Sequence, residues 1–207
     1  LLQRLLSFSV HYLDMPEEED LTKRYNALYL EIILKYKDYI EEQESLYVAE
    51  LPKLVTPDDD VVVSLANRIK SSFPIYNYEE NFYDAAKAAY EHVKKDIYTV
   101  ELPVQFWLTP RQTETAGAGD VFDKAVLLCS LLIALGNPSS KVIVIITDSE
   151  RRFVIYAEFG GKVIAMGFED GIQEFSSIDE MMAHFKIEKG KDVTAYEFND
   201  KMYRDIA

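Results

Sequence analysis

Residues 116–136, AGAGDVFDKAVLLCSLLIALG, surround one position with the groups that usually serve a nucleophile. Gly117 and Gly119 permit a tight turn, Asp120 can cap a helix, and Asp123 falls in that helix's first turn, where negative charge is favoured. A thiol directly after Asp120 would be acidified by the positive helix end and would attack a carbonyl with help from a nearby base. That position is Val121, which has no such chemistry. The single cysteine, Cys129, lies eight residues further on, among Leu127, Leu128, Leu131 and Leu132. Apolar surroundings raise a thiol's pKa, so an inert core cysteine is expected. His11, His92 and His184 are far apart, with no second ligand at a metal-binding spacing, so neither a metal nor a cofactor is expected. Two rescues stay open: a carboxylate pair of Asp120 and Asp170, and a rebuilt pair of Cys129 and His184.

The elements that would position these residues follow from periodicity. Residues 1–13, LLQRLLSFSVHYL, are apolar on most sides and read as a helix that packs against something beyond this chain. Residues 21–48 contain no Gly or Pro, and Leu21, Tyr25, Leu28, Ile32, Tyr36 and Tyr39 form one apolar stripe at three- and four-residue steps. TPDDDVVVSLANRI predicts a third helix with Thr56 as its N-cap and Pro57 in the first position. A fourth is expected near residues 83–95. After the Asp120 helix the pattern changes to β-branched and aromatic runs at 141–147, 152–159 and 162–168, separated by DSER and GG, which predicts an antiparallel meander. SSIDEMMAHF predicts another helix with a Ser177–Glu180 capping box, and DVTAYEF a last strand. Helices first and an antiparallel sheet afterwards make an α+β fold, the sheet packed on a buried central helix. The expected division is a helical extension over residues 1–50 and an α+β domain over 51–207.

Composition restricts the function classes. The 207 residues are 48% hydrophobic and 13% aromatic, enough to fill a core. A formal net charge of −14 argues against nucleic acid, whose phosphates need a basic face. No stretch reaches the roughly 20 apolar residues of a membrane helix, so no membrane span is expected within this chain. One cysteine suits a reducing, cytoplasmic compartment. Position 1 is Leu1, so the chain is expected to begin inside a longer natural product.

The order of elements, together with DIY at 96–98, FWLTP at 106–110 and GAGDVFDKAVLLCSLLIALG at 117–136, resembles the transglutaminase-like superfamily, whose fold is related to papain-like cysteine proteases. The resemblance covers residues 58–171 and is strongest over 83–136. Members carry a cysteine after the Gly-Asp, a histidine in H-x-W-x-E on one strand, and an aspartate in W-x-x-x-D on the next. Carried over, the cysteine position is Val121, the histidine position is Val154 with Tyr156 and Glu158 in the Trp and Glu places, and the acid position is Gly167. A slip of one residue offers Phe153 in place of the histidine, and Asp170 lies three residues beyond Gly167.

The resemblance therefore implies a domain without the triad, with Val154 and Gly167 facing Val121 from adjacent strands. Phe106, Trp107, Asp120, Tyr156 and Glu158 are the candidate lining of a leftover cleft. The expected role is binding a protein or peptide, through that cleft or the apolar side of the first helices, with residues 1–13 as a second surface for assembly. The alternative is a hydrolase or acyl transferase of the same superfamily with a displaced nucleophile.

Overall fold

A computed structural model describes residues 18–44, 48–101, 104, 106–188 and 193–207. The expected helix at residues 1–13 lies outside the described residues. The segment expected at 21–48 forms two helices, α1 (Glu18–Lys35) and α2 (Lys37–Glu44), broken at Tyr36. The Tyr36 amide is shared between the carbonyls of Ile32 and Ile33, each 3.2 Å away, which tightens the turn there. The apolar stripe is not covered: Tyr25, Leu28, Ile32, Tyr36 and Tyr39 are all exposed. Burial in the described chain begins at Leu51, within a short 3₁₀ segment (Val48–Leu54).

Helix α3 (Asp60–Lys70) starts three residues later than a Thr56 cap would place it. Asp59 is the cap, its carboxylate accepting the Val61 N–H at 2.9 Å and the Arg111 Nε–H at 2.9 Å. Thr56 instead donates its own N–H to Ser130 Oγ, and Pro57 sits in the preceding turn. Helix α4 (Tyr78–Lys95) begins five residues ahead of its expected start, because Asn77 accepts the Glu79 N–H. A two-residue strand β1 (Tyr98–Thr99) follows, then α5 (Pro110–Ala116) and β2 (Ala118–Gly119), which pairs in parallel with β1.

Helix α6 (Val121–Ala134) is the buried centre. Every residue from Phe122 to Leu132 is buried, so the helix has no solvent face, as an apolar run of this kind requires. Strands β3 (Lys141–Ile146), β4 (Arg151–Phe159), β5 (Lys162–Gly167) and β6 (Gly171–Phe175) then form the expected meander with one extra strand. The β4–β5 turn uses Gly160 and Gly161 at φ 59 and 74, the two positive φ values of a hairpin turn that glycine adopts without steric cost. Helix α7 (Ile178–His184) is capped by Ser177, but Glu180 reaches the Ser176 N–H rather than that of Ser177, so the capping box is half formed. Strands β7 (Thr194–Phe198) and β8 (Tyr203–Asp205) complete an antiparallel sheet in the order β6-β5-β4-β3-β7-β8.

The sheet is covered on both faces. Val142, Val144, Ile155, Ala157, Ile164, Met166 and Phe198 point to the core that contains α3, α4 and α6. Ile143, Ile145, Val154, Tyr156, Val163 and Ala165 point the other way, toward Met181 and Phe185 around α7. The fold class is thus α+β, an antiparallel sheet packed on a buried central helix, with a smaller cluster on its far side.

Candidate functional site: the cleft at the head of α6

The turn into α6 is built around Asp123. Its carboxylate accepts the Leu108 N–H at 2.9 Å and the Asp120 N–H at 3.0 Å, while Asp120 accepts the Asp123 N–H at 2.8 Å. This is a reciprocal capping box with two carboxylates in it. Burial, then the Asp120 charge, push the Asp123 carboxyl up to about 6, against the pull of its two N–H donors. Gly119 is needed for this approach: a Cβ there would lie 2.9 Å from Asp123 Cβ.

Val121, half-buried, is the first residue of α6 and lines a cleft of about 400 Å³. The other walls are Thr99 from β1, Glu150 to Phe153 at the entry to β4, and Gly167 to Asp170 at the exit of β5. Phe153 packs edge-on against Phe122, ring centroids 5.6 Å apart. Phe168 stacks on Tyr90 at 5.9 Å, and the Lys124 ammonium lies 5.2 Å from the Phe168 ring. Lys124 is buried, and Nζ donates to the Ile97 carbonyl at 2.9 Å and to Thr99 Oγ1 at 3.0 Å. Burial and neighbouring Lys94 lower its pKa. Arg152 pairs with Asp170 at 2.6 Å across the mouth.

Among the lining side chains there is no thiol and no imidazole. What the cleft offers is apolar contact from Val121, Phe153 and Phe168, a guanidinium from Arg151, and carboxylates on its rim.

The structure brings Val121 and Gly167 to one cleft but not Val154. Val154 belongs to the α7 side of the sheet, and Phe153 faces Val121's helix instead. Successive strand residues alternate faces, so the register is one residue off the expected one. Gly167 contributes backbone rather than a facing position: a Cβ there would point to within 3.2 Å of Asp170 Oδ2. Tyr156 shares the face of Val154 and is fully buried, away from the cleft. Glu158 is exposed and lines a surface groove beside the start of α7. Phe106 and Trp107 are half-buried; Trp107 packs on Phe122 at 5.6 Å and serves as cover for the core. Asp120 is the helix cap. Arg151, Phe168, Thr99 and Lys124 are not among the expected site residues; Phe168 ends a run whose parity, once fixed by Phe153, points to it, whereas Arg151 falls in the DSER separator.

No known family profile matches the sequence, and no curated protein matches it. Among solved structures, the chain is similar to a candidate protease from Parabacteroides distasonis, with TM-score 0.45 and 12% identity over 72% of this chain and 28% of that one. It is similar to a candidate cysteine protease from Cytophaga hutchinsonii, with TM-score 0.45 and 15% identity over 74% and 50% of the two chains. Calcium-bound LapG from Legionella pneumophila is a third, with TM-score 0.41 and 17% identity over 68% of this chain and 86% of that one. The aligned part spans 28% of the first of these proteins and half of the second.

The candidate rescues are placed as follows. Cys129 is fully buried in the α6 core, and burial pushes its thiol far up. His184 lies on α7, beyond the sheet, with its ring against Phe175 and Phe185. The sheet therefore separates these two residues. Asp120 is engaged as a cap and Asp170 with Arg152. Among the described residues no group of three His, Cys, Asp or Glu side chains converges on one point, and no helix is long and apolar enough to cross a membrane.

Proposed function

We propose that the protein is a non-catalytic domain of the transglutaminase-like type, working in the reducing cytoplasm, and that the cleft at the head of α6 takes up a segment of a protein or peptide. One observation carries this reading. The helix position that would activate a thiol holds Val121, and the strand residue facing it is Phe153, so the place where proton transfer would occur is lined by two apolar side chains. Such a pocket with the Arg151 guanidinium and carboxylates at its rim suits an apolar side chain held in a polar backbone.

A second reading, a hydrolase with a displaced nucleophile, is favoured by Thr99, whose Oγ1 stands 3.0 Å from Lys124 Nζ in the same wall. Against it, Lys124 meets the Thr99 hydroxyl as a donor and also donates to the Ile97 carbonyl, so it is not placed to take the hydroxyl proton, although burial and Lys94 lower its pKa.

The two separate in one experiment. Wild type, Val121→Cys and Thr99→Val are incubated with activated esters and glutamine-containing peptides. No turnover is expected from any of them, since restoring one member of a catalytic unit recovers little when the base is absent. Turnover by wild type that disappears in Thr99→Val overturns the binding reading. Turnover by Val121→Cys alone would place a base nearer the cleft than Phe153.

A further inference from the structure

His92, in the last turn of α4, stands between two carboxylates. Nδ1 is 2.8 Å from Asp96 Oδ2, on the residue that ends the same helix, and Nε2 is 2.8 Å from Glu114 Oε2, on α5. An ionised carboxylate only accepts hydrogen bonds, so both ring nitrogens must donate, and only the imidazolium has two N–H groups. The geometry therefore fixes the charge state of the ring. The carboxylates hold the proton on: His92 titrates above its ordinary range, first because of Glu114 and then Asp96, against a loss from burial. Other charges face the group from each packed element. Arg68 on α3 approaches Glu114 Oε1 at 3.8 Å, and on α4 itself Lys95 pairs with Glu91 at 2.7 Å beside Asp96.

What the ring ties together is the base of one cleft wall. Strand β1 starts two residues after Asp96 and β2 starts four residues after Glu114. The two strands are joined by the Tyr98 N–H to the Gly117 carbonyl at 2.8 Å and the Val100 N–H to the Gly119 carbonyl at 3.0 Å, and Thr99 between them lines the cleft. We infer that His92 is a protonation-controlled tie that fixes the β1–β2 wall of the cleft and so makes occupancy of the cleft sensitive to pH. The inference rests on the cleft being the working site.

Loss of the proton leaves the ring one donor. Glu114, the more enclosed partner at 18% side-chain exposure, keeps it as a hydrogen bond to its carboxylate without the ion-pair attraction. Asp96, 66% exposed, meets a lone pair and turns to water. Because the folded-state pKa lies above the unfolded value, the tie is complete below about 6.5 and is lost as pH rises through the folded value.

The test follows the ring and the wall together in the full chain. NMR gives the His92 titration midpoint, and hydrogen exchange gives protection factors for the Tyr98 and Val100 amides, from about pH 5 to about pH 9, the range that brackets histidine. The expected result is a midpoint above that of free histidine and a fall of about tenfold in both protection factors through it, the size of one charge-assisted hydrogen bond. Amides of β3 should stay level. His92→Gln, which keeps one donor and has no proton to lose, should abolish the pH dependence; Glu114→Gln should lower the midpoint and weaken the dependence. A midpoint at or below that of free histidine, flat protection factors in wild type, or an unchanged pH profile in His92→Gln would overturn the inference. No ligand enters this readout, so it fails or stands separately from the peptide-binding reading.

Discussion

The two faces of the central sheet are made by alternate residues of the same strands, yet they are held together differently. Toward α6, Val142, Val144, Ile155, Ala157, Ile164 and Met166 meet a helix whose polar side chains, Asp123, Lys124 and Ser130, bond elsewhere than to the sheet. Toward α7, the fully buried Tyr156 donates to the fully buried Glu197 at 2.7 Å and accepts from Lys141 at 2.9 Å, while Arg204 closes on Glu197 at 2.6 Å. The first face depends on volume, which many apolar side chains supply. The second depends on complementary charge, which tolerates few substitutions, because Glu197, Tyr156 or Lys141 left alone is an enclosed polar group without compensation. The cleft opens on the volume-dependent face, where Val121 and Phe153 can change without leaving a charge unpaired.

That contrast predicts a ranking. Glu197→Ala should be the most damaging single change, costing about 3–5 kcal/mol, since it strands the Lys141 ammonium and the Tyr156 hydroxyl, while the exposed Arg204 turns to water. Urea unfolding at neutral pH measures it, and a cost near that of an ordinary surface substitution would break the comparison. Tyr156→Phe, which removes one hydroxyl from the same network, should cost about 1–3 kcal/mol. Met166→Leu on the opposite face conserves volume and should cost less than about 1.5 kcal/mol. If the Met166 change proved worse than the Tyr156 change, the α6 face would be the more specified of the two.

A further expected effect is a slope in pH. Asp123 is raised from 3.8 to about 6 in the folded chain, so its protonated form favours the native state. The contribution is fully present below 3.8 and is lost as pH rises through about 6. Unfolding free energy should therefore decline across that window, and Asp123→Asn should remove this component of the slope while lowering stability throughout, because the amide keeps only one acceptor oxygen for two N–H donors. An unchanged slope in the variant would return Asp123 to an ordinary ionised cap.

Much of the frame was legible in the sequence. The β-branched runs gave β3, β4 and β5, and the glycine-rich entry with its apolar run gave α6. Where the reading failed, physical reasons are at hand. Strands covered on both faces lack the alternation that tells inside from outside, so FVIYA does not reveal that Phe153, not Val154, meets the helix. In TPDDD the cap could be any of several acceptors, and Arg111, 52 residues away, anchors Asp59. Asn77 before YEE was a local signal for the start of α4 that went unused. Strands β1 and β2 are two residues each, too short to leave a pattern, although Thr99 on one of them lines the cleft. The stripe on α1 is periodic but uncovered, since periodicity records an apolar face without naming its cover.

The position of α6 in the chain also sets a schedule for synthesis. Its buried length leaves the ribosome before any of the sheet that will enclose it, and the last α6-facing residue of β5, Met166, follows Ala134 by 32 positions. At roughly 5–20 residues per second that is a delay of about 2–6 s. Throughout it a largely apolar helix stands beside α3, α4 and α5 without its sheet. The nascent chain must shelter this segment on those helices, in the exit tunnel, or on a holding chaperone, and slowed translation of residues 141–166 should lower the yield of native protein more than slowing elsewhere.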